Sequence, residues 1–89
     1  MKIKLELFGA SRDFSQKDYL ELEVQNKAST DDLRNEIIKY LDKNFKGNEN
    51  FIKIVKSSAF SSEDNQIISD NYKITKDQKI AIIPPVGGG

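Results

Sequence analysis

The stretch Lys79-Ile80-Ala81-Ile82-Ile83-Pro84-Pro85-Val86-Gly87-Gly88-Gly89 decides how this chain is interpreted. Its first five residues are almost all apolar, which predicts a strand inside a sheet rather than at its edge. Two prolines follow and remove two backbone donors, so strand pairing must stop at Ile83 and the chain must leave near polyproline II geometry. Three glycines then give the last segment the narrowest possible cross-section. Extended, Pro84 to Gly89 reach about 20 Å.

Upstream of this strand, alternation predicts an N-terminal hairpin. Ile3, Leu5 and Leu7 alternate with charged residues, and the stretch from Tyr19 to Val24 alternates again. The residues from Gly9 to Lys17 are predicted to form the connecting loop.

A helix follows the hairpin. Ser29-Thr30-Asp31-Asp32 is typical of a helix start, because hydroxyls accept from the first free N–H groups and carboxylates suit the positive end of the dipole. Apolar residues at helical spacing predict one amphipathic helix from Thr30 to Phe45, with Gly47 as a left-handed C-cap.

The second half of the chain gives weaker signals. The apolar cluster from Phe51 to Val55 predicts part of a strand, and the segment from Ser57 to Asp70 is consistent with another hairpin. The element order predicts an α+β fold, a mixed sheet with one main helix packed on one face. The pattern also suggests that the first and last strands lie side by side at the sheet centre.

Composition limits what the chain can do. Its 89 residues form one domain, 1–89, since a second core would need roughly another hundred residues. Fourteen basic residues balance fourteen acidic ones, so nucleic acid is not an expected partner. No apolar run approaches a membrane span and the first residues lack a signal-peptide pattern, so we expect no membrane association and a cytosolic location.

Three residue types are missing altogether. The absence of Cys, His and Trp excludes thiolate nucleophiles, imidazole bases and Cys/His zinc sites, and no metal site is expected. These exclusions favour a binding or carrier module over a self-sufficient enzyme. The glycine tail then has two interpretations: a frayed end or linker remnant, or a segment that threads a partner's channel and delivers its carboxyl group to chemistry elsewhere.

The apolar strand followed by Pro84-Pro85-Val86, one variable residue and Gly88-Gly89 resembles the ending of the molybdopterin synthase small subunit family, MoaD, within the MoaD/ThiS ubiquitin-like sulfur carriers. Gly87 occupies the variable position, where Ser, Ala or Thr is more usual. The segments Ile3 to Phe8 and Ser29 to Phe45 resemble the family's first strand and main helix. The family's Ala-Val-Asn is matched only loosely, by Ala59-Phe60-Ser61. The resemblance implies a ubiquitin-like β-grasp fold with a flexible tail, 84–89.

The resemblance also implies a mechanism and partners. An ATP-dependent, E1-like enzyme of the MoeB type would adenylate Gly89, and a sulfur donor system would convert the adenylate to a thiocarboxylate. A large subunit of the MoaE type, in a heterotetramer with this chain, would accept the tail and transfer sulfur to the pterin precursor. The inserted residues would be Pro84, Pro85, Val86, Gly87 and Gly88. This chain would bind no cofactor, since ATP is used by the activating partner.

Broken alternation indicates a docking surface. If Ile3, Leu5 and Leu7 face the core, Phe8 lies on the polar side, and Ala81 and Ile83 face outward in the last strand. Adjacent first and last strands would place these three in one apolar patch beside the tail. The family resemblance supports contacts at Phe8 and Ile83 and adds Ile67. In the alternative interpretation, Phe8 caps the core and a loop covers Ile83.

Other functions fit the same sequence. A ThiS-like carrier serving thiazole, cysteine or another thio-metabolite would share the chemistry and differ in its large partner. A ubiquitin-like modifier would join Gly89 to a lysine, and a plain interaction domain would show no ATP-dependent change at Gly89.

Overall fold

Two parallel strands form the centre of the main sheet. In a computed structural model that describes residues 1–85, β1 (Lys2–Leu7) pairs with β7 (Gln78–Ile83), with Leu5 opposite Ile80 and Leu7 opposite Ile82. All four of these side chains are buried. The predicted adjacency of the first and last strands is confirmed.

The remaining strands extend the sheet on both sides. The order is β2 (Tyr19–Glu23), β1, β7, β4 (Ala59–Ser61) and β5 (Ile67–Ile68). Every pair other than β1 and β7 is antiparallel, so both predicted hairpins are confirmed. A second, two-stranded sheet pairs β3 (Ala28–Ser29) with β6 (Lys73–Ile74), which the sequence did not reveal.

The main helix, α1 (Thr30–Phe45), has the predicted bounds. Ser29 and Asp32 form a capping box: the Ser29 Oγ accepts from the Asp32 N–H at 3.1 Å, and the Asp32 carboxylate accepts from the Ser29 N–H at 3.0 Å. Its apolar stripe, Leu33, Ile37 and Leu41, is fully buried in the core cluster that also contains the inward-facing residues of β1 and β7. The expected left-handed C-cap is present, but it begins one residue early, at Lys46 (φ 54°), and continues at Gly47 (φ 70°).

The prediction of a strand around Phe51 to Val55 is wrong. These residues form a second helix, α2 (Glu49–Ser57). The Asn48 side-chain oxygen caps it by accepting from the N–H groups of Asn50 and Phe51 at 3.0 and 3.1 Å. Apolar residues at positions 51, 52, 54 and 55 fit a helical stripe as well as a strand, and the Asn cap decides between them.

The predicted loop after β1 contains a 3₁₀ helix, Gly9–Phe14. Phe14 is completely buried, its ring centroid lies 5.1 Å from that of Phe51, and its carbonyl accepts from the Tyr40 hydroxyl at 2.9 Å. This loop is therefore tied to both helices.

Arg34 joins α1 to the segment between α2 and β4. Its guanidinium donates to the carbonyls of Val55 (2.6 Å) and Ser58 (2.9 Å) and to the Asp70 carboxylate (2.8 Å), and it lies 4.8 Å from the centroid of the Phe60 ring. Only 12% of the Arg34 side chain is exposed. One buried side chain therefore fixes where β4 begins.

The capping box makes α1 sensitive to acid. Hydrogen bonds from the Ser29 backbone and side chain hold the pKa of Asp32 below the usual value of an aspartate. A lowered pKa means that this stabilisation is present above the unfolded-state value and is lost as pH falls through the folded-state value. We expect Asp32→Asn to remove this pH-dependent part of the stability. The free energy of unfolding, measured with urea from pH 6 to pH 2, should therefore decline less in the variant than in the wild type. Asp31→Asn is the control, and an equal decline in Asp32→Asn and wild type would contradict the assignment.

Candidate functional site

One face of the main sheet is left open by the helices. The burial pattern alternates along β7, where Ile80 and Ile82 are buried against α1 and Ala81 and Ile83 point to the opposite face. Phe8 follows the last residue of β1, Leu7, which is buried. Alternation along two adjacent strands therefore places Phe8, Ala81 and Ile83 on the open face.

These three residues form an exposed apolar patch, named here the docking patch. Phe8 is 43% exposed and Ile83 is 38% exposed, while Ala81, two residues before Ile83 on β7, is half-buried. Phe8 is thus a surface residue rather than a cap on the core. Within residues 1–85, no loop buries Ile83.

Ile67 lies at the margin of the docking patch. It is opposite Ser61 in β4, and Ser61 is opposite Ala81 in β7, so Ile67 and Ala81 occupy one cross-strand row with β4 between them. Ile67 is 66% exposed. The structure places it on the same face as the other three, one strand away.

The docking patch forms part of a groove of about 440 Å³. Its polar wall contains Glu6, Ser61, Ser62, Glu63, Asn65 and Lys79. None of these residues is predicted from the sequence to belong to a binding surface. Alternation places Glu6 and Lys79 on the same face as Phe8 and Ala81, but Glu63 comes from the β4–β5 loop, and no local pattern predicts its approach to β7.

The polar wall is organised around Lys79. The Glu63 carboxylate accepts from the Lys79 backbone N–H at 2.7 Å, and the Glu6 carboxylate lies 3.7 Å from the Lys79 ammonium. Two carboxylates and one ammonium give this wall a net negative charge.

The chain leaves the sheet beside the docking patch. The buried Ser11 hydroxyl donates to the Phe8 carbonyl at 2.6 Å and accepts from the Phe8 N–H at 2.9 Å, which fixes the backbone that carries the Phe8 ring. Gly9 follows with φ 55°, and a Cβ there would stand 4.0 Å from Pro84 Cγ. The 3₁₀ helix therefore starts alongside the exit at Pro84.

Of the predicted tail residues, the structure describes Pro84 and Pro85. β7 ends at Ile83 as the prolines predict, Pro84 is half-buried and Pro85 is exposed. The predicted functions of Val86, Gly87, Gly88 and Gly89 fall outside the described residues. Among residues 1–85, no three His, Cys, Asp or Glu side chains are placed to hold a metal ion, and no helix is long and apolar enough to cross a membrane.

The arrangement of strands and helices in this chain is similar to that of several solved structures. A Pyrococcus furiosus protein described as molybdopterin converting factor, subunit 1, is similar with a TM-score of 0.70 and 23% identity, covering 96% of this chain and 98% of that one. SAMP1 from Haloferax volcanii is similar with a TM-score of 0.68, 14% identity and complete coverage of both chains. The chain has a ubiquitin-like β-grasp fold. A Caldiarchaeum subterraneum ubiquitin shares it with a TM-score of 0.62 and 19% identity, over 100% of this chain and 98% of that one.

Searches by sequence add nothing to this result. No protein-family model matches the chain, and no curated protein is significantly similar to it. The similarity to solved proteins therefore lies in the arrangement of strands and helices.

Phe8 provides a direct test of the docking patch. Because its ring is exposed while its backbone is held by Ser11, we expect Phe8→Asp to weaken the binding of a protein partner at the docking patch at least about tenfold, with little change in thermal stability. Affinity is measured by titration calorimetry and stability by thermal unfolding.

The matched control for Phe8→Asp is Gln16→Asp. It introduces the same charge on an exposed residue that does not line the groove. A large fall in the unfolding temperature of Phe8→Asp would show that Phe8 is a core residue instead.

Proposed function

We propose that this chain is a sulfur carrier, the small subunit of a molybdopterin synthase, and that it works through the carboxyl group of Gly89. The observation that supports this most strongly is the central strand β7, which ends at Pro84-Pro85 beside the exposed docking patch. A partner bound at the docking patch would meet the tail where it leaves the sheet. Pro-Pro-Val before Gly-Gly favours this function over other uses of the fold.

The proposed chemistry begins with activation. A terminal carboxyl group has a pKa of about 3.5, so it is ionised at neutral pH and is a poor acyl electrophile. In the proposed first step, a carboxylate oxygen of Gly89 attacks the α-phosphorus of ATP in the partner's active site, and pyrophosphate leaves. The product is an acyl-adenylate whose leaving group is AMP.

Sulfur then replaces the nucleotide. Hydrosulfide delivered by the donor system attacks the acyl carbon, AMP departs, and Gly89 becomes a thiocarboxylate. The large subunit accepts the tail through Pro84, Pro85, Val86, Gly87 and Gly88. Transfer of the sulfur to the pterin precursor and addition of water return Gly89 to a carboxylate.

This division of labour suits the composition of the chain. It has no Cys or His to act as nucleophile or base, and the proposal assigns those groups, and ATP, to its partners. The partners are an E1-like adenylating enzyme and a MoaE-like large subunit assembled with this chain in a heterotetramer. The proposed location is the cytosol.

A second function is favoured by the names of two structural neighbours. SAMP1 and the Caldiarchaeum ubiquitin share the fold, and a modifier would join Gly89 to a lysine of a target protein after the same adenylation. A ThiS-like carrier would form the same thiocarboxylate and pass its sulfur to a different acceptor. The product formed at Gly89 separates carriers from modifiers.

Removal of the last two glycines tests the proposal. We expect a chain lacking Gly88 and Gly89 to keep its fold, because it retains every core residue identified among residues 1–85, and to lose sulfur transfer completely. The assay combines purified chain, adenylating enzyme, ATP, sulfide, large subunit and the pterin precursor, with intact-mass spectrometry of the chain and measurement of molybdopterin.

Each result of that assay has a definite meaning. Replacement of one oxygen by sulfur in the full chain, absent from the truncated chain, supports the carrier. An isopeptide-linked adduct favours the modifier, and a full chain with no ATP-dependent mass change contradicts both. A truncated chain that still supports molybdopterin synthesis would refute the assignment of Gly89.

A further inference from the structure

The groove beside the docking patch has an apolar end and a negatively charged end. Phe8 and Ile83 form the apolar end, and Lys79 with the Glu63 carboxylate lies at the other. Glu6 shares a cross-strand row with Ala81 and Ser61 in the middle of the groove, and its carboxylate lies 3.7 Å from the Lys79 ammonium. Ala81 and Ser61 are small, and they form the floor of the groove between the two ends.

We propose that this groove receives an arginine side chain from a docking partner. The inference rests on the proposed function, because it names the chemistry of the partner surface that binds there. The aliphatic stem of an arginine suits the floor at Ala81 and the apolar end at Phe8, and its guanidinium suits the carboxylates of Glu6 and Glu63.

Charge makes a cation the appropriate occupant. Among the groove residues, only Glu6, Glu63 and Lys79 carry charge, so the wall has one negative charge in excess. Lys79 contacts Glu6 only at 3.7 Å, with the two side chains 49% and 37% exposed. Such an exposed pair is weak and can be replaced by a partner's guanidinium at little cost.

Arginine fits better than a purely apolar side chain for a second reason. An apolar group filling the groove would remove water from Glu6 and Glu63 without replacing it, and an uncompensated carboxylate at an interface is unfavourable. A guanidinium supplies up to five N–H donors in a planar fork, enough for both carboxylates.

Three variants separate this inference from a general apolar contact. Glu6→Gln with Glu63→Gln removes the negative charge and keeps the shape, and a Gln at position 63 still offers an oxygen to the Lys79 N–H. Lys79→Gln has the opposite effect, since it leaves the two carboxylates without their cation. The control, Glu21→Gln with Glu23→Gln, changes the same charge on the same sheet outside the groove.

The test uses the whole chain and a small probe. N-acetyl-arginine amide is titrated into isotope-labelled chain, and the methyl signals of Ala81 and Ile83 are followed by NMR, with N-acetyl-norleucine amide as the uncharged comparison. We expect saturable shifts with the arginine probe alone. Affinity should fall about threefold or more in Glu6→Gln/Glu63→Gln, rise in Lys79→Gln, and stay unchanged in the control.

Three results would overturn the inference: equal shifts from both probes, no shifts from either, or weaker arginine binding in Lys79→Gln. The titration needs neither ATP nor a modified Gly89. A chain that fails to become a thiocarboxylate therefore leaves this test intact, and a failed titration leaves the sulfur-carrier assay intact.

Discussion

The parallel pairing of β1 with β7 is the constraint on which the rest of the molecule depends. It brings the two ends of the sequence together at the centre of the sheet, and its register sets both faces at once. On one face Leu5 and Ile80 lie opposite each other in the core under α1, and on the other Glu6 lies opposite Ala81. A slip of one residue would exchange these faces, burying charge and exposing the core.

Much of this arrangement could be predicted from local pattern. The bounds of α1 follow from a capping box and a regular apolar stripe, and β1 and β7 follow from alternation. The assignment of Phe8, Ala81 and Ile83 to one exposed surface needed only alternation and the adjacency of two strands. These features are local, or depend on one long-range contact that the pattern suggested and the family resemblance supported.

The errors occur where local signals are ambiguous. The apolar spacing from Phe51 to Val55 fits a helix as well as a strand, and the Asn48 cap favours the helix. The 3₁₀ helix after β1 was missed because its buried anchor, Phe14, is the only large apolar residue in a polar stretch, held by Phe51 and Tyr40 from distant parts of the chain. Glu63 reaches Lys79 only because the β4–β5 loop folds back on β7.

Support for the docking patch comes from contacts on the opposite side of the sheet. Arg34 fixes the connection that leads into β4, and β4 holds Ser61 beside Ala81. The Ser11 hydroxyl fixes the backbone of Phe8 in the same way at the other strand. The exposed surface is therefore rigid at its base, and docking would order few additional side chains.

The two edge strands of the main sheet determine whether a neighbouring molecule can pair with it. β5, at one edge, is only two residues long, and β2, at the other, carries the exposed carboxylates of Glu21 and Glu23. Short or charged borders discourage strands of neighbouring molecules from adding to the sheet. Within residues 1–85, neither edge of the main sheet therefore offers a neighbouring molecule a long, uncharged template for lateral growth.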